Sequence, residues 1–272
     1  MGSLILNRHT NFNANYIRIA NISNMLEVKN IKKWFGGVKA VDDCDFEVQE
    51  KTITALIGPN GSGKTTVFNL ISGILKPEKG KIIFDGYDIT NKSPEYIANL
   101  NGLGISRLFQ QSRLFGNLTV KENLLLVLDN EDEKFWKNLS GKNKITKEKE
   151  AKVKTMLEMV DMSGFVNKLA RDLSFGQKRL VELARTILNS HKLLMLDEPV
   201  GGVNPKLRQE IAKILLKLKE QGETILLIEH DMNFTLNIAD RVIVMDEGKV
   251  IAEGKPAQIK TNPKVLEAYL GE

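Results

Sequence analysis

A glycine-rich segment, GPNGSGKTT at residues 58–66, has the residue types and spacing that bind a phosphate chain. It lies between an apolar run typical of a buried strand and a run with helical spacing, and its glycines let several backbone N–H groups turn toward one anion. Lys64 would reach the β- and γ-phosphates of a nucleotide, and the Thr65 hydroxyl suits Mg²⁺. Every fixed position of the motif is filled, which favours a phosphate cradle over a simple glycine-rich turn. The cradle residues are Gly58, Asn60, Gly61, Ser62, Gly63, Lys64, Thr65 and Thr66.

A pair of acids, Asp197 and Glu198, directly follows the apolar run KLLML. Acids at the carboxyl end of a parallel strand stand at the edge where open α/β sheets bind ligands. Asp197 would then enter the Mg²⁺ shell, and Glu198 would polarise a water molecule against the γ-phosphate. Alone, the pair could equally be a solvated turn at a strand end. Together with the glycine-rich segment, it indicates phosphoryl transfer to water.

Two further polar residues follow candidate strands. His230 stands after the run ETILLI, where it could hydrogen-bond the γ-phosphate and hold the attacking water, although a single histidine there is often a plain loop residue. Gln110, in RLFQQ, could complete a magnesium shell. By composition it is an ordinary surface glutamine, and Gln111 competes with it for that role.

The elements that must position these residues alternate between strands and helices, which predicts a largely parallel sheet with both faces covered. A helix is expected to begin at Asn204-Pro205, with Asn204 as its N-cap, and a hairpin is expected around Glu247-Gly248. After Ser93 the pattern predicts helices, at 94–100, 119–128 and 147–160, that interrupt the sheet as a subdomain. The expected helix faces are Val67, Leu70, Ile71 and Ile74 after the cradle, and Leu207, Ile211, Ile214, Leu215 and Leu218 after Pro205.

The composition excludes some classes of protein but does not identify a binding partner. The 272 residues carry a net charge of +5, and the single cysteine, Cys44, rules out an internal disulfide framework. The longest unbroken apolar run, Leu124–Leu128, is far shorter than the roughly 20 residues that span a bilayer. Residues 1–24 show no sustained period, so we expect a loose N-terminal extension without a signal peptide. The charged stretch 129–152 is expected to be solvated.

A further segment, LSFGQ at residues 173–177, connects these motifs to a known family. Together with the cradle, Gln110, the acid pair and His230, it resembles the nucleotide-binding subunits of ABC transporters, in order and in spacing, over residues 25–272. The resemblance implies a P-loop NTPase fold of the ABC ATPase type. Such a fold has a mixed, mostly parallel sheet as its core, a helical subdomain at about residues 94–180, and a small antiparallel β-subdomain.

The resemblance also assigns roles to residues. The cradle is Walker A, Asp197-Glu198 ends Walker B, Gln110 is the Q-loop glutamine, and His230 is the switch histidine. Phe35 would stack on adenine, while Thr65, Gln110 and Asp197 would surround Mg²⁺. Two such chains are expected to close head to tail, so that each ATP lies between the cradle of one chain and the signature sequence of the other. The signature residues are Ser174, Phe175, Gly176 and Gln177.

Two departures from the commonest family pattern indicate one group within the family. Phe175 stands where glycine is usual in the signature, and Asn204 stands where aspartate is common after Walker B. Both departures, and the ending VLEAYLGE, are similar to the larger ATPase subunit of branched-chain amino acid importers. The expected function is therefore ATP hydrolysis that powers such import. The ATPase of a lipopolysaccharide exporter and that of a urea or amide importer remain alternatives.

A different class, an ABC-type ATPase that acts on nucleic acid or ribosomes, is weakened because the chain has one cradle, one signature and no heptad run. No nucleic acid partner is therefore expected. The resemblance implies ATP and Mg²⁺ as cofactors, transmembrane permease subunits and a second ATPase subunit (a paralogue or a second copy) as partners, and indirect contact with a substrate-binding protein. The expected location is the cytoplasmic face of the plasma (inner) membrane, as a peripheral protein.

Overall fold

A computed structural model of the chain describes residues 24–110, 113–128 and 147–270. The first part of the fold is a small antiparallel sheet, as predicted. Its strands alternate between buried and exposed side chains, which is typical of a sheet with one covered face. The strands are β1 (Asn24–Phe35), β2 (Val38–Gln49), β4 (Lys79–Phe84) and β5 (Tyr87–Asp88), in the order β2-β1-β4-β5.

The second sheet has six strands and forms the centre of the molecule. They are β3 (Ile53–Ile57), β6 (Gly104–Leu108), β7 (His191–Asp197), β8 (Thr224–Ile228), β9 (Arg241–Asp246) and β10 (Lys249–Gly254), in the order β10-β9-β3-β8-β7-β6. All neighbours pair in parallel except β9 and β10, which form an antiparallel hairpin. Positive φ angles at Glu247 and Gly248 make the tight turn between them, where the sequence predicts it. The predicted mixed, mostly parallel core is confirmed.

Nine helices surround the sheets within the described ranges. They are α1 (Lys64–Ile71), α2 (Pro94–Ala98), α3 (Val120–Leu128), α4 (Lys147–Met159), α5 (Phe175–Leu188), α6 (Pro205–Glu220), α7 (Met232–Ile238), α8 (Pro256–Lys260) and α9 (Pro263–Leu270). The start of α6 is as predicted, because Asn204 Oδ1 accepts a hydrogen bond from the Leu207 N–H at 2.9 Å and Pro205 is the first helical residue. The buried residues of α6 are Leu207, Ile211, Ile214, Leu215 and Leu218, which is the predicted face.

Alternate residues of the central strands belong to two different hydrophobic cores. Leu194 and Leu196 of β7 pack in a cluster with helix residues such as Ile211 of α6. Met195, between them, belongs to a second cluster with Phe68 of α1 and the inner face of the antiparallel sheet. The central sheet is therefore covered on both sides, as parallel sheets are, and only its edges reach solvent.

Three features of the sequence prediction need correction. Residues 104–108, which lie inside the stretch predicted as a helical subdomain, form β6, and β6 pairs in parallel with β7. The predicted helical subdomain, about residues 94–180, therefore includes a strand of the central sheet, and α3, α4 and α5 follow that strand. Helix α1 ends at Ile71, and Ile74, predicted on its buried face, is 46% exposed. The short helices α7 and α8 have no counterpart in the prediction.

Several predictions fall on residues outside the described ranges. They are the loose extension at residues 1–23, most of the charged stretch 129–152, and the competing glutamine Gln111. Across the ranges that the structure does describe, no helix is long and apolar enough to cross a membrane.

Candidate nucleotide-binding site

Four neighbouring strands of the central sheet end at the same edge, and each is followed by a predicted site residue. The strands β3, β8, β7 and β6 are parallel and adjacent, so their carboxyl ends line up. Gly58 follows β3, His230 follows β8, Asp197 and Glu198 end β7, and Gln110 follows β6. The topology thus brings the cradle, both acids, the histidine and the glutamine to one edge, which is where sheets of this kind bind ligands.

The cradle takes a backbone shape that requires glycine at two positions. Gly58 and Gly63 have φ angles of 151° and 99°, which favour glycine strongly. A Cβ atom at Gly58 would collide with the backbone carbonyl of Met245, and one at Gly63 would collide with that of Ala40. The loop therefore packs closely on the neighbouring backbone.

Positive charge is concentrated where this loop meets α1. Gly63 caps the helix without any side-chain hydrogen bond, so the first N–H groups of α1 keep the positive end of the helix dipole available to an anion. The Lys64 ammonium lies back over the loop, where Nζ donates to the carbonyls of Gly58 and Pro59 at 2.6 and 2.7 Å and to Ser62 Oγ at 3.2 Å. These groups fit a polyphosphate.

Asp197 is almost fully buried and is held by an arginine that the sequence analysis did not single out. Arg107 Nη2 donates to Asp197 Oδ2 at 2.9 Å, while Nη1 donates to Asn69 Oδ1 and Ser72 Oγ of the α1 region at 2.8 and 2.7 Å. Burial lowers the pKa of Arg107, and its bond to Asp197 opposes that shift. Arg107 therefore connects the end of β7 to the helix that follows the cradle.

Glu198 lies between two of the predicted site residues. Its Oε2 accepts a hydrogen bond from Gln110 Nε2 at 3.0 Å, and its Oε1 is 3.9 Å from Nδ1 of His230. The backbone φ of Glu198 is 48°, an uncommon conformation for a residue with a side chain and one that clusters at functional sites. The His230 side chain is 62% exposed, so the carboxylate and the imidazole both border solvent.

A second acid beside the histidine, Glu229, was also missed. It is fully buried, and its Oε1 accepts from the Val200 N–H at 3.0 Å while its Oε2 accepts from the His230 N–H at 3.3 Å. Burial raises the pKa of Glu229, and the hydrogen bonds from the backbone oppose that rise. Glu229 thereby joins the segment after Glu198 to the segment that carries His230.

The oxygen atoms at this edge fit a magnesium ion that is shared with phosphates. Thr65 offers a hydroxyl, Asp197 a carboxylate and Gln110 an amide oxygen, and such hard oxygens are the ligands that Mg²⁺ prefers. Within the described residues there is no cluster of three or more His, Cys, Asp or Glu side chains that could hold a metal. Proteins commonly hold Mg²⁺ through one or two carboxylates plus substrate phosphates, and Asp197 would supply one such carboxylate.

The remaining predicted residues lie at the end of β1 and at the start of α5. Phe35 ends β1 with 48% of its surface exposed, and the Lys33 ammonium is 5.6 Å from its ring centre. Ser174 caps α5 through a reciprocal pair of bonds with Gln177: Ser174 Oγ accepts from the Gln177 N–H at 3.3 Å, and Gln177 Oε1 accepts from the Ser174 N–H at 3.0 Å. Phe175 is 62% exposed and lies beside Gly202, in the loop after Walker B.

Comparison with known proteins agrees with this geometry. The sequence profile of the ABC transporter family matches residues 41–201, which include the cradle, the signature and both acids. The chain belongs to the family of ABC transporter ATPases. This ABC ATPase therefore binds and hydrolyses ATP in connection with transport. A second profile, described as branched-chain amino acid ATP-binding cassette transporter, matches residues 249–272.

Curated relatives match almost the whole ABC ATPase. The probable branched-chain amino acid transport ATP-binding protein LivG of Archaeoglobus fulgidus is 40% identical over 248 residues, which is 91% of this chain and 95% of the relative. The high-affinity branched-chain amino acid transport ATP-binding protein BraF of Pseudomonas aeruginosa is 39% identical over 255 residues, 91% of this chain and 98% of the relative.

Solved structures match the fold of the ABC ATPase. One is the ADP conformation of an ATP-binding cassette of an ABC transporter, 38% identical with a TM-score of 0.78, covering 92% of this chain and 100% of the other. Another is described as the dimeric structure of a bacterial ABC transporter cassette. It is 27% identical with a TM-score of 0.75, covering 85% of this chain and 99% of the other.

Proposed function

We propose that this ABC ATPase powers the import of branched-chain amino acids. The observation that carries the proposal is the identity of 38–40% with relatives named for branched-chain amino acid transport, over 91% of the chain. The match of residues 249–272 to a profile of the same description supports it from the C-terminal helices. The signature phenylalanine and Asn204 agree with the same group.

In the proposed site, the cradle and Lys64 hold the phosphates of ATP and Phe35 stacks on its adenine. Glu198 acts as the general base toward the attacking water, because its carboxylate borders solvent between Gln110 and His230. His230 hydrogen-bonds the γ-phosphate and orients that water. Thr65, Asp197 and Gln110 would hold Mg²⁺, which when bound neutralises charge on the phosphates.

The proposal also includes the domain bounds of the chain and the subunits with which it assembles. Residues 25–272 form the ATPase domain, and its helical subdomain, at about residues 94–180, includes α3, α4 and the start of α5. The signature Ser174–Gln177 contacts the ATP of a second ATPase subunit, a paralogue or another copy, in a head-to-tail dimer. Permease subunits dock near the Gln110 loop from the cytoplasmic face of the membrane, and the substrate-binding protein acts through them.

The substrate is tested by deleting the gene and restoring it. The deletion should reduce uptake of labelled leucine, isoleucine and valine, and the wild-type chain should restore it while Glu198→Gln should not. Unchanged amino acid uptake would refute the proposal. Loss of urea or amide uptake, or of lipopolysaccharide export, would instead identify one of the alternative transporters.

The ATP site is tested separately on the purified full chain. Lys64→Ala removes the cation from the cradle and should weaken ATP binding by at least about tenfold, the effect of losing about 1.4 kcal/mol of binding free energy. Lys81→Ala, on the antiparallel sheet, is the matched control and should bind ATP like the wild type. Unchanged ATP affinity in Lys64→Ala would contradict the cradle assignment. Salt-dependent binding of RNA by the wild-type chain would favour a nucleic-acid function instead.

A further inference from the structure

A buried arginine extends from the signature helix to the backbone of the catalytic acids. Arg179 lies in the first turns of α5 and is 5% exposed. Its Nη2 donates to the carbonyl oxygens of Asp197 and Glu198 at 2.8 and 2.6 Å, and its Nε donates to that of Pro199 at 3.2 Å. One guanidinium therefore binds three consecutive carbonyls at the end of Walker B.

The same side chain also reaches the Gln110 loop. Arg179 Nη1 donates to the carbonyl of Phe109, the residue before Gln110, at 2.9 Å and lies 3.5 Å from Glu182 Oε2. Glu182 Oε1 in turn accepts from the N–H of Arg113 at 2.6 Å. Both flanks of the Gln110 loop are thus tied to α5, one through Arg179 and the other through Glu182.

These bonds act on an uncommon backbone conformation. Glu198 has a φ of 48°, which residues other than glycine adopt only when their surroundings hold them there. Its carbonyl accepts from Arg179 and from the Gly201 N–H at 3.0 Å, so both bonds fix the direction in which the Glu198 side chain leaves the backbone. Arginine suits this task because its five donors form a rigid planar fork, which lysine cannot reproduce.

We propose that Arg179 is a positioning residue for Glu198 and connects the signature helix to the hydrolytic acid of the same chain. The inference rests on the proposed function, in which the signature contacts one ATP while Glu198 acts on the other. A shift of α5 when its signature meets the partner's ATP then changes the position of Glu198 and of the Gln110 loop. Arg179 thereby couples the two ATP sites to which one chain contributes.

The test compares Arg179→Lys with Arg241→Lys in the full chain. Arg241 lies on β9 and donates to Glu253 Oε1 of β10 at 2.8 Å, so the control makes the same chemical change at a pair within the β9–β10 hairpin. Arg179→Lys should lower kcat by up to about 10²-fold, the effect of a displacement of about 1 Å in a catalytic group, while KM and the Kd for ATP change less than about threefold. Arg241→Lys should keep the wild-type kcat.

A double variant shows whether Arg179 acts through Glu198. When Arg179→Lys is added to Glu198→Gln, the single-turnover rate of hydrolysis should fall by less than about threefold. The carboxylate that Arg179 positions is already lost in that background. Wild-type kcat in Arg179→Lys, or a full further loss in the double variant, would overturn the proposal. Normal hydrolysis by Glu198→Gln alone would instead contradict the proposed function, so the two failures are distinguishable.

A measurement on the wild-type chain applies even if Arg179→Lys does not fold. Native-state hydrogen exchange should show the amide of Gly201 and the amides of the first half of α5 losing protection together as denaturant is added, because Arg179 makes them one cooperative unit. Earlier and independent exchange of Gly201 would overturn the proposal.

Discussion

At the scale of single residues, two side chains from two other loops converge on the carboxylate of Glu198. Gln110 binds one oxygen of Glu198, and His230 lies 3.9 Å from the other. A carboxylate that borders solvent between an amide donor and an imidazole is placed to accept a proton from a water molecule. The geometry therefore supports Glu198 as the base more strongly than the position of the acid pair in the sequence does.

The first prediction concerns that role. Glu198→Gln removes the base but keeps the shape and the hydrogen-bonding capacity of the side chain. We expect kcat to fall about 10²- to 10⁴-fold, the usual contribution of a general base, while ATP still binds. Steady-state hydrolysis and equilibrium ATP binding measure the two effects. Glu253→Gln, in an exposed pair with Arg241, is the control, and near-normal turnover in Glu198→Gln would refute the assignment.

The second prediction concerns the buried Glu229. Because burial raises its pKa above the ordinary 4.5, the folded chain holds this proton more tightly than the unfolded chain does. Its contribution to the free energy of unfolding is therefore greatest below the ordinary pKa and is lost as the pH rises through the raised pKa. Glu229→Gln removes this dependence, so the Tm of the variant minus that of the wild type should become more positive from about pH 4 to pH 8. A difference that is flat or falls with pH would contradict it.

At the scale of elements, the sequence predicts a helix or strand well where one periodicity dominates. The stripe of α6 and its Asn204 cap, the hairpin at Glu247-Gly248 and the buried runs of β7 and β8 all agree with their patterns. β6 was missed because its five residues include Ser106 and Arg107, which do not suggest a buried strand. Their polar groups are satisfied only by distant partners, such as Asn189 for Ser106 and Asp197 for Arg107.

The site residues Arg179 and Glu182 were missed for the same reason, because local periodicity does not show partners that are remote in the sequence. Arg179 and Glu182 are opposite charges three residues apart on a helix, a spacing that usually marks an exposed pair. Their burial depends on partners that are remote in the sequence. Arg179 binds the carbonyls of Asp197 and Glu198, and Glu182 accepts from the N–H of Arg113. A local pattern can thus predict candidate nucleotide contacts where the motif is contiguous, but not the residues that hold those candidates in place.

The third prediction belongs to this scale. Asn204 caps α6, the helix that follows the loop after Walker B, through its bond to the Leu207 N–H. Asn204→Ala should lower the free energy of unfolding by about 1 kcal/mol, the usual value of an N-cap, and Tm by about 2–4 °C. Asn204→Asp keeps the cap and should melt like the wild type, which calorimetry can establish. Equal Tm values for the alanine and aspartate variants would show that the cap contributes nothing.

At the scale of the whole molecule, the cradle and the signature lie in different parts of the fold, and the proposed function gives them different tasks. The cradle, Glu198 and His230 share one edge of the central sheet, whereas the signature lies at the start of α5 beside Gly202. Phe175 is 62% exposed in the first turn of that helix. A second chain that brings its ATP against the signature would cover this side chain.

The last prediction tests that arrangement without disturbing the fold. Phe175→Glu places an acid in the first turn of α5, where the helix dipole tolerates or favours it, so the variant should fold with near-wild-type Tm. It also places a negative charge against the phosphates of the partner's ATP.

The dimer is measured in the Glu198→Gln background, which slows hydrolysis. There ATP should drive the chain into a dimer with itself or with a co-expressed paralogous ATPase. Phe175→Glu should abolish that dimer while the monomer still binds ATP. Phe175→Gly, which restores the commonest signature, should still dimerise. Light scattering with and without ATP distinguishes these states, and a Phe175→Glu chain that dimerises normally would show that the signature does not face a second ATP.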